Sequence, residues 1–170
     1  MRLVSRRLSG TFSRRGSKTQ FQWWALGLVG ARPTEQKKGA DQGIDGRLYF
    51  HEGGPKDKTR QVIFSVKAGK LKAGYVRDLR GVVEREKAAI GALISFEEPT
   101  KPMRQEAASA GFYGSPWGQH PRIQLLTVAE LLDGKGVDYP RVTGANVTYK
   151  RAPKARRKEA AEPGLFDRKD

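Results

Sequence analysis

Apolar positions fall into short blocks separated by glycine- and proline-rich breaks, and the spacing inside each block sets its element. Phe21 to Val29 is dense in apolar residues without alternation, and Thr19 can cap it. That pattern predicts a short buried helix stopped by Gly30. Gly46 to His51 and Arg60 to Lys67 read as two half-buried strands joined by the turn-rich Glu52-Gly53-Gly54-Pro55-Lys56-Asp57, a hairpin with a long loop. From Tyr75 to Ala89, helical spacing gathers Val76, Leu79, Val82, Val83 and Ala89 on one face, with Arg77, Arg80, Glu84, Arg85 and Lys87 largely elsewhere. Ile90 to Phe96 is a compact apolar run that suits an interior strand. A helix over Thr100 to Ala110, a strand over Ile123 to Val128 and a brief helix through Leu132 complete the order α-β-β-α-β-α-β-α. Hairpin strands followed by right-handed βα units predict an α/β sandwich, a mixed central sheet flanked by helices.

The longest apolar candidate, Trp23 to Ala31, is broken by Gly27 and Gly30 and is far shorter than the ~20 residues of a membrane-spanning helix. Cysteine is absent and there are two histidines, so thiol chemistry and Cys/His zinc sites are excluded and any metal must be held mainly by oxygen. Of the net charge of +15, residues 1–18 carry +6, residues 148–170 carry +4 and the middle carries +5. The ends read as basic, disordered arms around a domain over residues 19–147, with the cytoplasm as the default location. A middle that stays positive without its arms favours a polyanion, because basic side chains release counterions condensed on phosphate.

Two segments carry candidate chemistry: Asp41-Gln42-Gly43-Ile44-Asp45-Gly46 at the start of the first hairpin strand, and Phe64-Ser65-Val66-Lys67 at the end of the second. Alternation along the second strand puts Ser65 and Lys67 on one face with Gln61 and Ile63, and Phe64 and Val66 on the other, in the core. An acid beside a glycine-flanked strand end can bind Mg²⁺, and a nearby ammonium can polarise water or steady charge on phosphate. Each residue alone has a duller role, as turn chemistry for Asp and a solvated edge charge for Lys. His51 and His120 read as exposed polar residues. Phe112 to Trp117 reads as an aromatic loop covering the sheet edge, with stacking on an unpaired base as the alternative.

In their joint order these segments resemble the Mrr-like restriction endonucleases of the PD-(D/E)XK superfamily, and more closely the nuclease-like domain at the C-terminal end of some DNA methyltransferase polypeptides. The similarity runs from about Phe21 to about Tyr139 and includes Val76 to Gly81 and Ala88 to Ser95. It implies a restriction-endonuclease-like fold and Mg²⁺-dependent DNA cleavage, with Mn²⁺ as a substitute. Asp45 would be the metal-binding acid, helped by Asp41, Lys67 the catalytic lysine and Ser65 a supporting polar contact. Independently of the resemblance, Lys70, Lys72 and the helical Arg77, Arg80 and Arg85 are candidates to meet phosphates, the arginines alternatively forming an ordinary solvated face with Asp78, Glu84 and Glu86 as partners. Implied partners are double-stranded DNA, a DNA methyltransferase domain or subunit, and a second copy of the chain if both strands are cut.

The chain departs from that family at two positions. Ser65 stands where an acid or Gln usually precedes the lysine by two, and a neutral hydroxyl is a poorer ligand for a hard cation. Gln22 stands where the first helix often supplies Glu, leaving Asp41, Glu35 or Glu84 as the second carboxylate. Two alternatives follow: a decayed nuclease that still binds DNA, or the detached C-terminal part of a methyltransferase. The chain has neither an Asn-Pro-Pro-Tyr-like run nor a glycine-rich cofactor loop, so methyl transfer of its own is not expected.

Overall fold

The computed structural model describes residues 18–34, 43–53 and 58–141; the expected arms, Glu35 and Asp41 lie outside them. In chain order the elements are α1 (Lys18–Leu28), β1 (Arg32–Pro33), β2 (Gly46–Phe50), β3 (Arg60–Lys67), α2 (Gly74–Arg85) and β4 (Ile90–Ser95). They continue with α3 (Lys101–Ser109), β5 (Phe112–Ser115), β6 (Gly118–Pro121), β7 (Ile123–Thr127) and α4 (Val128–Leu132). A five-stranded mixed sheet runs β1-β2-β3-β4-β7, and β5 and β6 form a separate hairpin. β2 pairs antiparallel with β3, whereas β3, β4 and β7 are parallel, joined by the α2 and α3 crossovers. The expected α/β sandwich is therefore the observed fold.

Helices on both faces create two apolar layers. Phe21, Ala25 and Leu26 of α1 pack with Leu48, Val62, Phe64, Val66 and Leu131 on one face. Val76, Leu79 and Val83 of α2 pack with Ile63, Leu93, Met103 and Ile123 on the other. Both faces of β3 are thus covered, and Val62 to Val66 are all buried, in contrast to the half-buried strand its sequence predicts. The alternating burial of β2 does match that expectation. Glycine sets the spacing of α1, because a Cβ on Gly46 would lie 2.5 Å from Leu26 Cδ2. The first helix begins at Lys18, so Thr19 lies within its first turn rather than at its cap.

Three further details depart from the sequence pattern. α2 stops at Arg85 instead of continuing to Ala89, because Lys87 turns into the left-handed region at φ 50° and Ala88-Ala89 lead into β4. The aromatic segment is the β5–β6 hairpin, packed over the β2–β3 connection: Tyr113 lies edge-on to Phe50 and its hydroxyl donates to Glu52, and Trp117 Nε1 donates to the Glu52 carbonyl at 2.6 Å. Burial first, and then the Glu52 carboxylate, push the Tyr113 hydroxyl pKa up to about 12. His120 is buried rather than exposed, its Nδ1 lying 2.8 Å from Asp138 and its Nε2 3.3 Å from Ser115 Oγ. These contacts join the hairpin to the chain beyond α4. Among the described residues no helix is long and apolar enough to cross a membrane.

Candidate functional site

The site lies where β2 leaves the ladder with β3. The Asp45 main chain makes the last regular exchange, its N–H donating to the Phe64 carbonyl at 2.8 Å. Its carboxylate then continues the ladder, with Oδ2 accepting the Val66 N–H at 2.6 Å, an acceptor position that another strand residue would otherwise fill. From the opposite side α1 brings Gln22, whose Nε2 donates to Oδ1 at 3.0 Å. An ionised carboxylate can only accept, so the Gln22 amide must present its NH₂ group rather than its oxygen. Both oxygens of Asp45 are therefore held by neutral N–H donors.

The structure brings Asp45 and the Ser65–Lys67 segment together, as the sequence motifs imply. Ser65 is buried, and Lys67 reaches along the α2 side of the sheet with Nζ 5.0 Å from the centre of the Tyr75 ring, a cation–π contact. Gln61, Ile63 and Lys67 share that side, as alternation predicts, with Gln61 donating to the Glu86 carbonyl at 3.1 Å. Lys70 and Lys72 are exposed just beyond β3, on a loop anchored by the Leu71 N–H to Glu97 at 3.1 Å.

Other predicted residues lie elsewhere. Arg77 turns to Glu106 of α3 at 3.6 Å, and Arg80 pairs with Glu84 at 3.3 Å, so both expected phosphate contacts already have carboxylate partners. Glu84 is near the far end of α2 and supplies no second carboxylate to Asp45. Among the described residues no group of three His, Cys, Asp or Glu side chains is placed to hold a metal ion.

Residues 17–133 match the family described as NACHT-associated inactive Restriction Endonuclease 1. The chain belongs to this family. Among solved structures it is similar to the MspJI restriction endonuclease in complex with a 27-mer oligonucleotide, with 18% identity and a TM-score of 0.52. That match covers 76% of this chain but 29% of the other, so this chain spans less than a third of the neighbour's length. No curated protein matches. The match supports the restriction-endonuclease-like fold inferred from the sequence. Within it, Gln22 is a substitution visible in the sequence, but its direct bond to Asp45, 23 residues on, depends on the docking of α1 against Gly46.

Among the described residues, the side chains around Asp45 do not make up the oxygen set that a divalent cation takes. Mg²⁺ takes hard oxygen ligands, commonly carboxylates. Among the described residues one carboxylate stands here, already accepting two N–H bonds, and the neighbouring positions carry a neutral hydroxyl and an amide. No hydrolytic step through a metal follows from these residues.

Proposed function

We propose that this domain binds double-stranded DNA without cutting it, through the cationic rim of the former nuclease site. The observation that carries this reading is the Asp45 carboxylate, which accepts from Val66 on one oxygen and from Gln22 on the other. Asp45 then works as a structural acceptor joining α1, β2 and β3. Lys67, Lys70 and Lys72 supply the positive charge that meets phosphate, and their contribution falls with added salt as counterions compete. The basic excess of the chain and the family's description as inactive both support the proposal. The same description, NACHT-associated, supports recognition as the output, passed to a neighbouring module rather than expressed as cleavage.

The competing reading is the Mg²⁺-dependent endonuclease implied by the sequence resemblance, with Asp45 on the metal and Lys67 assisting water. A plasmid-nicking assay of the wild-type chain and Lys67→Ala in Mg²⁺, Mn²⁺ and EDTA, run beside a duplex-binding titration, separates the two. The expected result is salt-sensitive binding with no nicking under any condition. Metal-dependent nicking that disappears in Lys67→Ala would overturn the proposal and establish the endonuclease.

A further inference from the structure

A second concave surface lies at the other end of the sheet. Arg60 begins β3 and Lys67 ends it, so the two are about 23 Å apart along an extended strand. Arg60, Lys87 and Arg122 line a cavity of about 410 Å³ there together with Phe112, Tyr113 and Glu84. That volume falls in the range of small-ligand sites, roughly 300–1,000 Å³.

Three features set this cavity apart from an ordinary charged face. First, Lys87 and Arg122 make no ion pair among the described residues, and Arg60 has a distant partner, Glu52 at 3.8 Å. The nearby acids are occupied, Glu84 by Arg80 and Glu86 by Arg47 at 2.9 Å. The C-terminal end of α2 adds roughly half a negative charge, which the three cations outweigh. Second, Phe112 is 64% exposed, an uncovered aromatic ring set among cations. Third, Lys87 is the one described non-glycine residue with positive φ, in the position after a helix that glycine ordinarily fills. A lysine there carries backbone strain that a glycine would not.

We infer that this cavity binds an unpaired nucleotide of a single strand, its base stacked on Phe112 and its phosphates held by Arg60, Lys87 and Arg122. Stacking on a side chain needs a free base face, which duplex stacking covers, while the cations match the flanking phosphates. The site goes beyond the duplex-binding reading and does not depend on it.

The test is a titration of the full chain with a fluorescent twelve-residue oligothymidylate and, separately, with a blunt duplex. Phe112→Ala and Arg122→Gln should each weaken oligothymidylate binding about tenfold and leave duplex binding within about twofold of wild type. Trp23→Ala, which removes an exposed ring on α1, should change neither. Lys87→Gly gives a second readout: relief of the left-handed strain should raise Tm by about 3 °C while oligothymidylate binding falls. Unchanged single-strand binding in folded Phe112→Ala and Arg122→Gln would overturn the assignment. So would equal losses on both nucleic acids, or a poly-glutamate peptide that competes equally well with wild type and Phe112→Ala. If the wild-type chain fails to bind duplex yet shows Phe112-dependent binding of the oligomer, the duplex reading fails and this one stands.

Discussion

The two ends of β3 have opposite electrostatic arrangements. At the Lys67 end a carboxylate accepts from a side-chain amide and a main-chain N–H. At the Arg60 end, three cations line a cavity with an exposed ring, and two of them have no acidic partner among the described residues. Polar groups that satisfy one another stabilise a fold, whereas charges left unpaired at a concave surface keep their interaction energy available for a ligand. At one end the carboxylate joins secondary-structure elements, with the exposed Lys70 and Lys72 beyond it; at the other the cations line the cavity itself.

The strongest way to break this contrast is Asp45→Ala. Removing the acceptor of two hydrogen bonds leaves the Val66 N–H without its partner and should cost about 3 kcal/mol, read from urea unfolding. Acids retained for catalysis tend to behave in the opposite way, so a gain in stability would identify Asp45 as a catalytic acid. Next in size is the restoration of a cation site with Gln22→Glu and Ser65→Asp together. Crowding carboxylates should destabilise the chain by about 2 kcal/mol at pH 7, and millimolar Mn²⁺ should restore Tm in the double variant but leave wild type unmoved.

The Arg60 end depends on the network behind Lys87, and pH tests it. Arg47 donates to Gln61 at 2.6 Å and to Glu86 at 2.9 Å, and its hydrogen bond holds the Glu86 carboxyl below its ordinary pKa. A lowered folded-state value means that Glu86 contributes stability above the unfolded carboxylate value and loses it as pH falls through the folded one. Arg47→Gln should therefore cost about 1.5 kcal/mol at pH 7, and the gap to wild type should close as both are acidified below about pH 4. Stability curves that stay parallel down to pH 3 would refute the pairing.

The smallest expected effect sharpens the first end. Arg77→Ala and Arg80→Ala, which remove exposed ion pairs within the helical layer, should each change stability by less than about 0.5 kcal/mol and leave duplex affinity nearly unaltered. Lys70→Ala with Lys72→Ala should instead reduce the slope of log affinity against log salt by about 2.

Much of the architecture was legible because its signals are local. The apolar run Ile90 to Ser95 between two helical patterns specifies a parallel interior strand, and the face of Val76, Leu79 and Val83 specifies which side of α2 meets it. The β5–β6 hairpin was not legible, because Phe112 to Pro121 has too little alternation and too many turn residues to distinguish a strand pair from a loop. The early end of α2 was hidden as well, since lysine ordinarily continues a helix and carries no sign of a left-handed turn. His120 looked exposed because its partners, Ser115 and Asp138, come from β5 and from the chain beyond α4.

By itself, the sequence determined the order of the elements, the α/β class and the meeting of the Asp45 and Lys67 segments, because hydrophobic period and chain connectivity decide those within a few dozen residues. The tertiary structure alone decided what each polar group meets. The docking of α1 against Gly46 turned Gln22 into the partner of Asp45, and the placement of the β5–β6 hairpin beside the end of α2 put Phe112 among three cations. A side chain's chemistry depends on neighbours at hydrogen-bond range, and those neighbours are distant in the chain.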